Sequence, residues 1–246
     1  MNTQKLSALI FTTLFLFSCG NTGKILSAAN EVLKTVNTGI TQDEAGNGLK
    51  EALKNGAGIG SDFLSKKDGF LKNLTYKILF PPEAQKIEQK LRSVGLGAEC
   101  DRVIETINRG AEMAVAEAKP IFVTAITSMS ISDAIGIVTG GNGAGTSYLK
   151  RTTSNQLRSK FSPIIQTALD KVSATKYWTD IVTTYNKIPL VEKINPDLNA
   201  FVTGKAMDAL FSQIEIEENN IRQDPLKRTS ELLKKVFNYA DQQKTK

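Results

Sequence analysis

Apolar residues in this chain recur three or four positions apart, again and again, and that spacing constrains the fold more than any other feature. Leu96, Cys100, Val103, Ile104, Ile107, Ala111, Ala114, Val115 and Ala118 make one such stripe. Leu157, Phe161, Ile164, Ile165, Ala168, Leu169 and Val172 make a second. Met207, Leu210, Phe211, Ile214 and Ile221 make a third, and Leu232, Leu233, Val236, Phe237 and Ala240 a fourth. Side chains at this spacing share one face of a 3.6-residue helix, and a helix with one apolar face must bury it against others. No stretch alternates convincingly with period two, although residues 121–127 tolerate a strand. The expected fold is all-α, a single multi-helix domain over residues 41–242.

Local punctuation places helix ends. Thr41 and Glu44 have the spacing of a capping box, in which hydroxyl and carboxylate satisfy free amides at a helix start. Pro82 suits a first turn and Gly95 a stop. Asp224-Pro225 pairs a capping carboxylate with a first-position proline, so a last helix is expected to start there. Pro120 and Pro163 are expected to break or kink their helices. The glycines at 46, 48, 56, 58, 60 and 69 are expected to loosen the helical region that contains them.

The N-terminus reads as an export signal. Lys5 precedes an apolar run from Leu6 to Phe17, and Leu16-Phe17-Ser18-Cys19-Gly20 follows the pattern at which bacterial lipoproteins are cut before a cysteine. Twelve helical residues rise about 18 Å, short of the ~30 Å of hydrocarbon that a spanning helix must cross. An uncleaved anchor or a core helix are the competing readings, and neither accounts for Phe17-Ser18-Cys19-Gly20. The expected order is a signal peptide at 1–18, a lipidated tether at 19–40, and the helical domain beyond. Cys19 would be the acylated mature N-terminus, and several acyl chains would make the membrane tether durable. Gly20, not an acid, follows Cys19, which points to the outer membrane facing the periplasm in a Gram-negative host.

Composition matters at three points. The chain is 41% hydrophobic and 23% charged, ordinary for a globular protein. Its net charge of +6 concentrates between residues 146 and 193, where eight basic residues face three acids. That segment is a solvated helix face, or a surface for anionic lipid or another envelope partner. Export removes nucleic acid from the expected partners. Only two cysteines are present. With Cys19 acylated, Cys100 has no disulfide partner in its own chain and reads as a small core residue. There is no histidine, which excludes Ser-His-Asp and Cys-His sites and the commonest zinc ligand. No catalytic residue, metal site or cofactor is expected.

Two stretches are candidates for a site. Residues 139–146, Thr-Gly-Gly-Asn-Gly-Ala-Gly-Thr, let backbone amides converge on an anion, and a helix start beyond them would add its dipole. The candidate ligand-binding residues are Gly140, Gly141, Gly143, Thr146, Tyr148 and Arg151. The alternative is a flexible inter-helix loop that needs a positive φ; it lacks the Gly-Lys-Ser/Thr ending of a P-loop. The second candidate is Glu218, which interrupts an apolar face, with Arg222 one turn later at ion-pair spacing. Such a pair is read as structural, and removing Arg222 alone is expected to harm more than replacing both. Asn108-Arg109 is read the same way. Trp178, with Tyr177 and Tyr185, is read as core.

These stretches together resemble the bacterial family called domain of unknown function 4197. The matching pieces include residues 48–53, 68–73, Asn108-Arg109-Gly110-Ala111-Glu112 running on to Phe122, Ser132-Asp133-Ala134 before the glycine loop, and Lys160-Phe161-Ser162-Pro163. Residues 209–211, Glu217-Glu218, Ile221-Arg222, Asp224-Pro225 and 233–237 complete the pattern. Gly110 and Gly145 stand where the pattern usually has alanine. The resemblance implies an exported helical protein and brings no activity with it. The expected function is an uncharacterised lipid-anchored envelope protein, a non-enzymatic binding or structural module. The alternatives are a helical carrier for a lipid or small anionic ligand, and a carboxylate-dependent envelope hydrolase.

Overall fold

A computed structural model describes residues 39–187, 189–190, 193 and 197–244. The signal peptide, Cys19 and most of the tether lie outside these described residues. From Ile40 onward the chain is one compact unit, with no strand among the described residues.

The helices are α1 (Gln42–Ser65), α2 (Gln85–Ser93), α3 (Gly97–Val115), α4 (Ala118–Thr127), α5 (Ile131–Val138), α6 (Ala144–Asp170), α7 (Ala174–Tyr185), α8 (Leu198–Gln223) and α9 (Glu231–Lys244). Helix α6 packs against α3 and α8, while α1 covers the other side of α8 and carries α4, α5 and α9. The stripes meet in one core. Leu157, Phe161 and Ile165 of α6 are fully buried with Ile107 and Ala111 of α3 and Leu210 and Ile214 of α8. Continuous apolar stripes on three long helices explain this arrangement, because each can bury its face only against the others.

The capping box is present. The Glu44 amide donates to Thr41 Oγ1 at 3.1 Å, and the Thr41 amide donates to Glu44 Oε2 at 2.9 Å. Lys235 of α9 adds an ion pair to Glu44 at 2.8 Å, and its charge holds that carboxyl below the usual glutamate range.

One expectation from the sequence needs correction. Asp224 does cap, accepting from the Leu226 amide at 2.9 Å, but the unit it opens is a single 3₁₀ turn, Pro225–Lys227. The last helix starts at Glu231, with Ser230 Oγ accepting from the Leu233 amide. Carboxylate and proline set the first turn in either helix type, so the local signal is the same. Pro163 does not end its helix: α6 runs through it to Asp170. Asn199 of α8 lies against that point, donating to the Ser162 carbonyl and accepting from the Ser162 hydroxyl, each at 2.8 Å. The glycines of α1 do not interrupt it either. They allow close approach instead: a Cβ on Gly60 would stand 3.3 Å from the Ile214 main-chain nitrogen. No single described helix is long and apolar enough to cross a membrane.

Candidate functional site

The two candidate stretches of the sequence are one structure. Helix α5 ends where the glycine loop begins, and α6 starts where it ends, with Gly143 at the N-cap. Gly143 has φ +71°, the left-handed region that an L side chain enters at a cost. Its amide donates to Asn219 Oδ1 at 3.1 Å. The next free amides, Gly145 and Thr146, donate to the two oxygens of Glu218 at 2.9 and 2.7 Å, and the Thr146 hydroxyl adds a third bond at 2.8 Å. Gly145 is needed for closeness: a Cβ there would lie 2.5 Å from Leu53 Cδ2 and 3.1 Å from Glu218 Oε1. The anion that the loop's amides invite is therefore the protein's own carboxylate.

Arg222 completes the junction. Its Nε donates to Glu218 Oε1 at 2.8 Å. Its Nη2 also donates to the Ile137 carbonyl at 2.8 Å, and Nη1 reaches the carbonyls of Val138 and Gly140 at 3.3 and 3.4 Å. The side chains of Arg222 and Glu218 are 1% and 4% exposed, so both charges have left water. What compensates them is the pair of helix ends. The cation sits on the carbonyls closing α5, and the anion on the amides opening α6, so each charge meets the helix pole of opposite sign. Arg228, unnoticed in the sequence, extends this to the end of α8. It is buried, donates to the carbonyls of Ile221 and Arg222 at 3.1 and 2.8 Å, and pairs with Asp241 at 2.7 Å. The guanidiniums of Arg222 and Arg228 both lie within 6 Å of the Phe237 ring, at 5.7 and 5.8 Å.

The remaining candidate ligand-binding residues fall apart. Gly140 and Thr146 join the junction through a carbonyl and an amide. Gly141 borders open space. Tyr148 is buried below the loop with the Arg151 guanidinium 5.4 Å from its ring. Burial, then the charge of Asp133, pushes the Tyr148 phenol up, against the opposing pull of Arg151. Among the described residues the carboxylate of Glu218 bonds to Gly145, Thr146 and Arg222, and neither Tyr148 nor Arg151 reaches it.

A second polar cluster positions the loop of residues 66–81. Glu112 Oε1 accepts from the amides of Phe70 and Leu71 at 3.1 and 3.2 Å, and its Oε2 accepts from Arg109 at 2.8 Å. Arg109 also holds Asp68 at 2.7 Å, and the Arg109 and Lys72 charges keep the Asp68 carboxyl below the usual aspartate range. Asn108, fully buried, accepts from the Ile78 amide and donates to the Ile78 carbonyl, both at 2.8 Å. These bonds place Phe80, which stacks on Trp178 with ring centroids 6.3 Å apart.

Beside that aromatic pair is a pocket of about 620 Å³. Its apolar wall includes Phe80, Leu91, Leu96, Val103, Val172 and Trp178. Cys100 lies in the wall, and burial pushes its thiol up, so it is a neutral wall group at neutral pH. Glu99, Arg102 and Lys171 supply charge at the edge. The Trp178 indole nitrogen is buried and has no hydrogen-bond partner among the described residues. A second, more polar hollow of about 480 Å³ also has Phe80 in its lining, with Tyr76, Phe201, Lys205 and Asp208. Periodicity reads the residues of the first pocket as core. It reports that they face inward, and is blind to whether the space they face is filled.

An all-helical domain with buried charge at its helix junctions and a ligand-sized hollow is the class that fold and site define. The chain belongs to the family described as Protein of unknown function (DUF4197), whose model matches residues 39–238. No curated protein and no solved structure matches the chain.

Proposed function

We propose that this chain is a lipid-anchored, non-enzymatic binding protein of the cell envelope. Acylated Cys19 tethers it to the outer membrane, and the helical domain, facing the periplasm, takes a small apolar molecule into the pocket beside Trp178. The pocket carries this reading. Its volume of about 620 Å³ lies within the range of small-molecule sites, which are concave, mostly apolar and largely pre-formed. The anchor rests on the signal pattern ending at Cys19. A hydrolase working through two carboxyl groups needs both in one cleft. Each described pocket has a single carboxylate in its lining, Glu99 in one and Asp208 in the other. Glu112 and Glu218, the buried carboxylates, are committed to arginines and backbone amides.

Trp178 is the only tryptophan of the chain, so energy transfer has one tryptophan donor, in the wall of this pocket, and a pocket-filling variant assigns the signal to it. Titration of the full chain with the neutral dye N-phenyl-1-naphthylamine is expected to give saturable, one-site transfer. Val172→Phe, which places a ring in the hollow, is expected to abolish it. Linear, unsaturable transfer would remove the pocket from the proposal. Metabolic acyl labelling tests the anchor separately: Cys19→Ser is expected to lose the label, and retained label would refute it.

A further inference from the structure

The pocket's walls and edge differ in chemistry. The wall is built of aromatic and aliphatic side chains and one neutral thiol. The edge holds two cations on separate elements, Arg102 on α3 and Lys171 in the turn after α6, against one acid, Glu99. Neither cation forms an ion pair among the described residues. Some exposed cations elsewhere do pair: Lys119 holds Asp62 at 2.6 Å, Lys160 holds Glu117 at 3.3 Å, and Arg92 bridges Glu88 and Asp101. Arg102 and Lys171 thus leave one positive charge in excess at the edge of a largely apolar hollow. An apolar body seated against the wall would carry its polar end to that edge.

We propose that the ligand of this pocket is a single-chain anionic amphiphile, its hydrocarbon against Phe80, Val103 and Trp178 and its carboxylate or phosphate between Arg102 and Lys171. This rests on the pocket reading above and adds the sign of the head group. The hydrocarbon supplies the gain from removing apolar surface from water. The head group gains charge-assisted hydrogen bonds, with the Arg102 guanidinium suited to a two-oxygen contact. The tail and head make separable demands, and the test separates them.

The experiment displaces N-phenyl-1-naphthylamine from the full chain with dodecanoate or with dodecanol, both below their aggregation concentrations, while transfer from Trp178 is recorded. Dodecanoate is expected to displace the dye at a concentration about tenfold lower than dodecanol, the scale of a charge-assisted contact. In the Arg102→Gln/Lys171→Gln double variant that preference should fall toward unity while the neutral dye binds as before, which also shows that the variant is folded. Dodecyl phosphate should follow dodecanoate. Equal displacement by acid and alcohol in the natural chain would overturn the anionic head and leave the pocket standing. An undiminished preference in the double variant would overturn the assignment to these two residues. Absence of dye binding would overturn both proposals.

Discussion

The α5–α6 junction and the pocket beside Trp178 are opposites. The junction looks in sequence like a ligand site, with glycines, a helix start and nearby charge. In space it is full, because Glu218 occupies the amides and Arg222 the carbonyls. The pocket looks in sequence like core, and in space it is hollow. Residue type announces what a site can bind. Only the surroundings decide whether the chain has already supplied the ligand. The filled site should therefore be rigid and intolerant of change, and the hollow one permissive.

The sharpest way to break this contrast is Arg222→Leu. It would strand Glu218 among the helix ends and remove the guanidinium donors from the carbonyls of Ile137 and Val138, for an expected loss of about 3–5 kcal/mol in denaturant unfolding. The structure also revises the double change. Replacing Glu218 as well leaves the Gly145 and Thr146 amides without an acceptor, so the Glu218→Leu/Arg222→Leu variant is not expected to recover stability over Arg222→Leu. Recovery would show that the two side chains act as an isolated pair, not as a plug between helix poles.

Gly145→Ala comes next. The 2.5 Å approach to Leu53 Cδ2 forces repacking at an expected cost of about 1–3 kcal/mol. Gly143→Ala should cost about 1–2 kcal/mol for its positive φ alone. A neutral result at both positions would mean that the loop shifts freely and the site is less rigid than the contrast requires.

The hollow side predicts a smaller number. Val172→Phe should change unfolding stability by less than about 1 kcal/mol in either direction, because the added ring meets empty space. A loss as large as that of Arg222→Leu would show that the pocket collapses in solution and is packed core.

The smallest effect concerns pH and the cluster that carries Phe80. The Asp68 carboxyl is held low by Arg109, then Lys72. Its contribution is fully present above the unfolded aspartate value and is lost as pH falls through the lower folded one. The difference in stability between the natural chain and Asp68→Asn should be constant near neutrality and vanish in the acid limb. A difference that persists unchanged at acid pH would assign the effect to shape, not charge. Because Asp68 is partly exposed, its share should be well below that of the buried junction.

Legibility followed sequence distance. The Thr41–Glu44 box was readable because its donors and acceptors lie three residues apart. The Glu218–Arg222 spacing was readable for the same reason, at one helical turn. The bonds that give that pair its purpose join residues 72 and 73 positions apart, and no local pattern records them. Asn108 reads from sequence as a structural polar residue, but its role depends on Ile78, thirty residues earlier in the chain. Arg228 carried no local signal, since its acceptors are main-chain carbonyls that any sequence would present. Asp224 was readable as a cap and misleading about the helix it caps.

By itself, the sequence determined that this chain forms helices and where most of them bury their apolar faces, and it marked the start of α6 as a candidate anion site. Spacing and composition settle these things because helix periodicity and capping act over one or two turns. The tertiary structure alone decided that the anion is Glu218, that Arg222 closes the neighbouring helix end, and that the space beside Trp178 is left open. Those outcomes depend on which helix ends and side chains arrive at the same place, and on whether the volumes brought there fill it.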